Sequence, residues 1–230
     1  MFIWDRTMLL LIPAIIFGMI AKGKISRAYK KYSEIRSQHG WTAAQVARDL
    51  LDRNGLHDVG IQRTDRAGLS DHFDPGANVL RLSQGVYSSD SIAAIGIAAH
   101  EAGHAIQKSR GYFPLAMRNS ILPAVNIGSR AAWPLFFIGL IFSNETLATV
   151  GIAMFDFTVA FQLITLPVEF DASKRAINSI GDIGYLAQEE LQGAQDVLNA
   201  AALTYVAAAM MSVMQLLRLM SIVRGGSRRR

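Results

Sequence analysis

Residues 91–107 read SIAAIGIAAHEAGHAIQ, and this stretch decides how the rest of the chain is interpreted. It is apolar on most of its sides, and residues 88–91 (SSDS) before it are types that cap helix N-termini. We therefore predict a largely buried helix. His100 and His104 are four residues apart within it, so both imidazoles lie on one helix face, where they can bind a single zinc ion.

Glu101 completes the pattern H-E-x-x-H and indicates what the metal would do. In this arrangement the glutamate is not a ligand; it takes a proton from the zinc-activated water and passes it to the leaving amine. A structural zinc site has no use for such a carboxylate, and it usually has four protein ligands, often cysteines. Because the chain contains no cysteine, the pattern favours zinc-dependent hydrolysis of peptide bonds.

A third protein ligand must come from elsewhere in the chain. Glu169 is the best carboxylate candidate because it follows the third apolar stretch, on the membrane side where the HEAGH helix must also lie. Asp171 is the competitor, but on a helix it points about 200° away from Glu169, so both cannot face one metal. His72, in the DHFDP turn, is a further candidate, and spacing alone leaves the choice open.

The composition is that of a membrane protein. Of the 230 residues, 51% are hydrophobic and 18% charged, and the mean hydropathy is +0.24, whereas soluble domains have about 25% charged residues. The net charge of +5 comes from basic residues that cluster beside the apolar segments and at the C-terminus. This distribution indicates orientation in a lipid bilayer and excludes nucleic acid from the expected partners.

Basic residues also predict the orientation of the first apolar stretch, residues 7–21. Lys22, Lys24 and Arg27 follow it, so we expect the N-terminus outside and the next region in the cytoplasm. The positive charge comes after the apolar run, which indicates an uncleaved anchor and not a signal peptide. The last apolar stretch, residues 200–223, is ambiguous, because alternating spans place the C-terminus outside whereas the arginine-rich tail favours the cytoplasm. We therefore expect three to four transmembrane helices.

The chain divides into five segments on this basis. They are an N-terminal transmembrane anchor (1–25), a cytoplasmic metallopeptidase region with HEAGH (26–118), a transmembrane helical hairpin (119–168), a region with the third ligand (169–199), and a C-terminal apolar helix with a basic tail (200–230).

Within the helical hairpin, Arg130 and Asp156 are each thirteen residues from Ser143, where the chain turns. At 1.5 Å per residue they lie at the same depth, and we expect them to pair, as intramembrane charges normally require. Buried polar residues of this kind can equally form contacts between copies of the chain.

The cytoplasmic region is expected to contain one short helix and a small β-hairpin. Thr42 and Gln45 form a capping box before an amphipathic pattern that ends near Gly55. Residues 59–64 and 78–83 alternate apolar and polar residues around a turn-rich centre, which predicts the hairpin. These elements should cover the metal helix and form the substrate groove.

The motifs of this chain resemble those of the neutral zinc metallopeptidases of the YugP type, which are integral membrane proteins of bacteria. The resemblance covers nearly the whole length and is carried by LSDHFDP (69–75), NVLRLS (78–83), SIAAIGIAAHEAGHAIQ (91–107), LPVEFDASKRA (166–176) and AALTYVAAA (201–209). The chain is more distantly similar to the HtpX-type membrane proteases, in which a pair of spans separates H-E-x-x-H from a motif E-x-x-A-D. The resemblance implies a bacterial plasma membrane protease.

The resemblance also implies roles for particular residues. The first residue of E-x-x-A-D is the third zinc ligand in the relatives, which supports Glu169 here. Ser173 replaces the aspartate that orients a ligating histidine, so Ser173 or Asp171 would take this outer role. The relatives bind an extended peptide along an edge strand beside the zinc, and its positional counterpart begins at Asn78. The residues implied in substrate binding are Asn78, Val79, Leu80, Arg81 and His72.

We therefore expect a mainly α-helical integral membrane protein with a zincin-like catalytic domain. His100, His104 and Glu169 would bind one zinc ion, and Glu101 would be the general base and acid. The expected substrates are unfolded or membrane-associated proteins, cut within the chain. An oxyanion stabiliser could be His72, Tyr112, Arg118 or Arg175. The alternative is a proteolytically silent membrane adaptor with a structural zinc site, and a homo-oligomer or a membrane-protein partner is possible in either case.

Overall fold

The computed structural model of this chain describes residues 6–65 and 70–227. The first residues of the expected anchor, Leu69 of the LSDHFDP motif and Arg228–Arg230 of the basic tail lie outside the described residues. A 3-10 turn (Arg6–Leu11) precedes the helices and strands. These are α1 (Ile12–Ser33), α2 (Ala43–Arg53), β1 (Gly60–Thr64), β2 (His72–Asp74), β3 (Val79–Ser83), α3 (Gln84–Tyr87), α4 (Ile92–Ser109), α5 (Phe113–Ile141), α6 (Glu145–Ile183) and α7 (Gln188–Ser227).

The structure divides into two compact units, and the four longest helices contribute to both. The membrane unit comprises the described parts of Met1–Ala21, Met117–Leu166 and Thr204–Arg230, and the site unit comprises the described parts of Lys22–Ala116 and Pro167–Leu203. Four helical segments are long and apolar enough to cross a membrane. They are Thr7–Ser33, Phe113–Ile141, Glu145–Ile183 and Gln188–Gly225. The mainly helical membrane fold is thus confirmed, at the upper end of the expected number of spans.

Helix α2 begins and ends where the sequence predicts. Thr42 is the N-cap, and its side chain accepts a hydrogen bond from the backbone N–H of Gln45 while the Gln45 side chain accepts one from the Thr42 backbone. After the helix, Gly55 has a φ of +74°, the left-handed conformation that glycine adopts without strain. The buried face of α2, which includes Val46 and Leu50, therefore starts at a fixed point of the chain.

The sheet differs from the expected hairpin. It has three strands in the order β1-β3-β2; β1 pairs with β3 in parallel, and β2 pairs with β3 in antiparallel. The turn-rich centre contains a strand of its own, β2, which takes one edge of β3 and leaves the other for β1. The β-hairpin is therefore formed by β2 and β3, and not by residues 59–64 with 78–83.

Helix α4 is the centre of the site unit. Ser91 is its N-cap, with the side-chain oxygen accepting from the backbone N–H of Ala94 at 3.3 Å. One face of α4 packs with α2 and with the parts of α6 and α7 that belong to the site unit through Ile95, Ala99 and Ala102. Another face packs on the sheet, where Leu80 and Leu82 of β3 are fully buried. The predicted burial on most sides is confirmed.

Helices α6 and α7 are longer than the apolar stretches suggested. Helix α6 continues without a break past Val168 to Ile183, and α7 runs continuously from Gln188 to Ser227. The sequence predicts a region with the third ligand (169–199) that is separate from the C-terminal apolar helix (200–230). A change from a polar to an apolar surface does not interrupt backbone hydrogen bonding, so one helix passes through both environments.

Candidate metal centre

Three metal-binding side chains of the site unit converge, two from α4 and one from α6. The Nε2 atom of His100 lies 3.3 Å from Oε2 of Glu169, and that of His104 lies 3.6 Å from the same oxygen. The three ligand atoms are all within 4.8 Å of one another, and this cluster could hold a metal ion. Two imidazole nitrogens and one carboxylate oxygen are a donor set that zinc accepts in catalytic sites.

A close approach of α4 to α6 makes this convergence possible. A Cβ atom on Gly103 would lie 2.8 Å from the carbonyl oxygen of Ala172, a distance at which the two backbones would have to separate. Gly103 stands between the two histidines of α4, and Ala172 is one turn after Glu169. The glycine of HEAGH therefore allows the carboxylate of α6 to reach the histidines of α4.

The outer nitrogen of each histidine has its own partner. Nδ1 of His100 is 3.0 Å from the hydroxyl of Ser173, and Nδ1 of His104 is 3.0 Å from Oε1 of Gln107. An amide oxygen only accepts, so Nδ1 of His104 donates to Gln107, and Nε2 is the nitrogen that faces Glu169. Partners of this kind fix both the tautomer and the ring orientation of a metal-binding histidine.

The orientation of Gln107 is itself determined by its amide nitrogen. This nitrogen donates to the carbonyl oxygen of Val168 and to Oδ2 of Asp171, both at 2.8 Å. Asp171 also accepts from Nε of Arg175 at 2.5 Å. The amide oxygen of Gln107, which is fully buried, is therefore left to face His104.

Glu101 lies beside the cluster, with one carboxylate oxygen held by the sheet. Its Oε2 accepts a hydrogen bond from the backbone N–H of Phe73 in β2, at 3.0 Å. Burial raises the pKa of the Glu101 carboxyl, an effect that His100 and His104 oppose and Glu169 reinforces. A carboxyl with a raised pKa and a fixed position is suited to exchanging protons.

The electrostatics of the cluster favour a positive charge at its centre. Burial lowers the pKa of His104, but the hydrogen bond to Glu169 and the charge of Glu101 outweigh it, so the pKa is raised overall. Burial likewise raises the pKa of Glu169, but hydrogen bonds from His100 and His104 outweigh it and hold this pKa far below its usual range. A site that attracts protons in this way also attracts a divalent cation, and the donor set fits zinc.

Two other predicted site residues, Asp171 and His72, lie outside the ligand cluster. Asp171 is not part of the ligand cluster; its carboxylate receives hydrogen bonds from Gln107 and Arg175. His72 lies in β2, directly before Phe73, and its Nδ1 is 2.8 Å from the backbone oxygen of Ser70.

The edge-strand position implied for Asn78, Val79, Leu80 and Arg81 is wrong, whereas their contact with substrate stays a prediction. Strand β3 is the central strand, paired with β1 over Val79–Ser83 on one side and with β2 over Val79–Arg81 on the other, so it is not an edge to which an extended peptide could add. Asn78 is a turn residue with a φ of +54°, and its amide donates to Asp58. The edge strand beside Glu101 is β2.

The sequence did not predict that two residues near the site, Gln107 and Arg175, orient other side chains. Gln107 follows His104 by three residues, and Arg175 follows Asp171 by four. The signal for Gln107 was a polar amide on the apolar side of α4, where an unpaired amide would be costly. Arg175 was considered only for an oxyanion; in the structure it pairs with Asp171 and lies over the ring of Tyr112 at 5.7 Å.

Comparisons with known proteins identify a family model and a relative that resemble this chain. A family model described as "Putative neutral zinc metallopeptidase" matches residues 7–224. A relative from Bacillus subtilis (strain 168), "Putative membrane protease YugP", is 44% identical over 217 residues, which cover 94% of this chain and 96% of the relative. No solved structure matches the chain.

Proposed function

The chain belongs to the family of neutral zinc metallopeptidases, and on that premise we propose that it is a membrane-bound zinc endopeptidase of unfolded or membrane-associated proteins. The observation that carries this proposal is the convergence of His100, His104 and Glu169 beside a carboxylate, Glu101, that is not part of the cluster. A site that only stabilised the fold would not need the fourth group.

His100 and His104 bind the metal through Nε2 and Glu169 through its carboxylate, in the gluzincin arrangement of a zincin-like domain. Zinc bound there supplies Lewis acidity, which polarises a peptide carbonyl and strengthens water as a nucleophile. Ser173 holds the ring of His100, and Gln107 holds the ring of His104. Asp171 acts one step further out, because it fixes the amide of Gln107.

Glu101 moves the proton in this proposal. The Phe73 N–H holds Oε2, so Oε1 faces the attacking water and takes its proton. The same carboxyl then gives the proton to the nitrogen of the leaving amine, which regenerates the carboxylate for the next cycle. The raised pKa of Glu101 brings this carboxyl closer to the pKa values of the attacking water and of the leaving amine, between which it transfers the proton.

The substrate binds as an extended segment along β2. This strand is an edge of the sheet, and the Phe73 N–H donates to Glu101, so a peptide that pairs with the remaining outward-facing backbone groups of β2 would pass beside the catalytic carboxylate. His72, the neighbouring residue of the strand, is the candidate to stabilise the oxyanion. Backbone pairing of this kind reads little side-chain identity, as digestion of unfolded segments requires.

The site unit faces the cytoplasm of a bacterial cell. Its two chain segments, 22–116 and 167–203, are separated by two candidate spans and so lie on one side of the bilayer. Basic residues follow the first span, which favours the cytoplasm for that side and the outside for both termini. In intact cells, an impermeant maleimide should label Phe142→Cys and leave His39→Cys unlabelled until lysis; the reverse pattern would invert this orientation.

The proposed activity is tested by casein proteolysis with full-length protein purified in detergent, at measured and equal zinc occupancy. We expect wild type to cut, a chelator to stop it, and Glu101→Gln to keep zinc but lose at least about 100-fold in rate, the low end for a lost general base. Glu189→Gln, which neutralises an exposed carboxylate of the site unit, should cut like wild type. Zinc binding without proteolysis in wild type would support the adaptor alternative.

A further inference from the structure

The membrane unit carries two opposite charges on its outer surface. Arg130 of α5 and Asp156 of α6 are both exposed, although each lies well inside a helix that is apolar enough to span a membrane. Within the described part of the chain, neither side chain makes an ion pair or a hydrogen bond. Charged residues in spanning segments almost always face a bundle interior, a water-filled cavity or a partner. Within a single copy of the chain, the described residues provide no such partner for either charge.

The two charges lie at about the same depth, as the sequence predicts. A Cβ atom on Gly128 would lie 2.8 Å from the carbonyl oxygen of Met154, and one on Gly151 would lie 2.8 Å from that of Ala132. Residues 128–132 of α5 therefore lie beside residues 151–154 of α6. Arg130 is in the first of these stretches, and Asp156 is half a turn beyond the second.

The expected pairing of Arg130 with Asp156 within one chain is nevertheless wrong. Arg130 is two residues from both Gly128 and Ala132, which face α6, so it is rotated about 200° from that contact. Asp156 follows Phe155, which is buried in the core of the membrane unit, by about 100° and so points to the flank of α6. Equal depth brings the charges level, but the helix faces separate them.

We propose that a second copy of this chain covers this surface, with Arg130 of one copy paired to Asp156 of the other. Copies inserted in the same orientation keep each residue at its depth, so a positive and a negative charge meet level with each other, and the contact is made twice. Ile127, 67% exposed, and Phe157, 47% exposed, are near the two charges in sequence and would belong to the same interface. An anionic lipid headgroup would satisfy Arg130 and leave Asp156 unpaired.

This inference requires only that the helices cross a bilayer, and it does not depend on proteolysis. The chain contains no cysteine, so a single introduced cysteine reports association without background. Ile127→Cys stands one turn from Arg130 on the same helix face, whereas Met19→Cys, 62% exposed on α1, reports random collisions. In phosphatidylethanolamine and phosphatidylglycerol vesicles, oxidation should link Ile127→Cys copies into dimers at least tenfold more than Met19→Cys copies, and excess lipid should not abolish the difference.

Charge reversal then tests the pairing itself. In the Ile127→Cys background, Arg130→Asp copies repel one another and so do Asp156→Arg copies, so each alone should cross-link at least tenfold less. A mixture of the two should regain the cross-linking of the parent, because each contact again joins an arginine to an aspartate. Restoration in the mixture cannot come from a bond within one chain.

Several results would overturn the proposal. Equal cross-linking of Ile127→Cys and Met19→Cys would show that the copies do not associate through this surface. Undiminished cross-linking of both reversed variants would show association without the ion pair. A mixture that stays uncross-linked, although each variant binds zinc like wild type, would assign the two charges to another membrane protein or to the substrate.

Discussion

Gln107 and Gln215 are both glutamines in helices, but they differ in whether the amide nitrogen has a hydrogen-bond partner. Gln107 is fully buried in the site unit, and its amide contacts His104, Val168 and Asp171. Gln215 lies in the membrane unit, and its Nε2 is buried without a hydrogen-bond partner in the described residues. The amide nitrogen of Gln107 is part of a network, and the amide nitrogen of Gln215 is not.

The difference extends beyond these two residues. In the described membrane unit, Thr158 Oγ1 and Arg218 Nε are also buried without partners, whereas in the described site unit only Ser37 Oγ is. The membrane unit instead packs around an apolar cluster that includes Phe136 and Phe155. The site unit therefore depends on exact polar contacts, whereas the membrane unit depends mainly on apolar packing.

The largest effect is expected for Glu169→Gln in the site unit. The substitution removes the carboxylate that faces both histidines, so zinc affinity should fall by more than the ~10–100-fold that outer residues cost. Competition with a chromophoric chelator measures the affinity. Asp171→Asn removes a charge from the same helix and should weaken zinc binding less; the opposite order would make Asp171 the ligand.

Gln107→Leu should come next. It keeps the size of the side chain but removes the acceptor for His104 and leaves Val168 O and Asp171 without their donor. We expect zinc affinity to fall about 10–100-fold. If the residue only positions the ring, saturating zinc should restore the proteolytic activity that the variant loses. Gln107→Glu keeps the acceptor and should lose less affinity at low pH than at high pH, where it repels Asp171. Unchanged zinc affinity in both variants would contradict this positioning role.

Removing zinc should make stability depend on pH in the site unit. Without metal, the pKa values of His104 and Glu101 are raised in the folded state, so the stability they contribute is present below their unfolded values and is lost as pH rises. The pKa of Glu169 is lowered, and its contribution is constant above its unfolded value. The Tm of zinc-free protein should therefore fall as the pH rises above about 6.5, the ordinary pKa of histidine. A zinc-free Tm that rises over this range would contradict the assignment.

Much of the site was predictable because its chemistry is local. Four-residue spacing places His100 and His104 on one face, and resemblance to the relatives pointed to Glu169. Gln107 was not predicted as an orienting residue, because its role depends on Val168 and Asp171, which are far away in the chain and come close only when α6 packs on α4.

The prediction of the fold was correct for single helices and their caps, and it was wrong for the order of the strands in the sheet. The capping box at Thr42 and the buried α4 were correct, since both depend on neighbouring residues. Alternating residues 78–83 indicated a strand but could not show that β2 and β1 occupy both of its edges. For Arg130 and Asp156, the predicted equal depth was correct, because depth follows from the number of residues to the turn. The predicted pairing was wrong, because the direction of each side chain depends on how the two helices pack.

Thr42→Ala should have a smaller and purely local effect. The variant loses the side-chain oxygen that accepts from Gln45 N–H, which costs about 1 kcal/mol of unfolding free energy. Zinc affinity should not change, because α2 supplies no ligand. Thr42→Ser, which keeps the hydroxyl, is the control, and a loss of zinc binding in Thr42→Ala alone would mean that α2 positions the metal helix.

Gln215→Leu should have the smallest effect, and its sign is what separates the two units. The substitution removes an amide nitrogen that is buried without a partner and replaces it with an apolar group of similar size in an apolar helix. We expect the Tm in detergent to stay the same or to rise, with zinc affinity unchanged, whereas the same exchange at Gln107 should lower both. If Gln215→Leu lowered the Tm as much as Gln107→Leu, the amide of Gln215 would have a partner that a single chain does not supply, and the membrane unit would depend on polar contacts as closely as the site unit does.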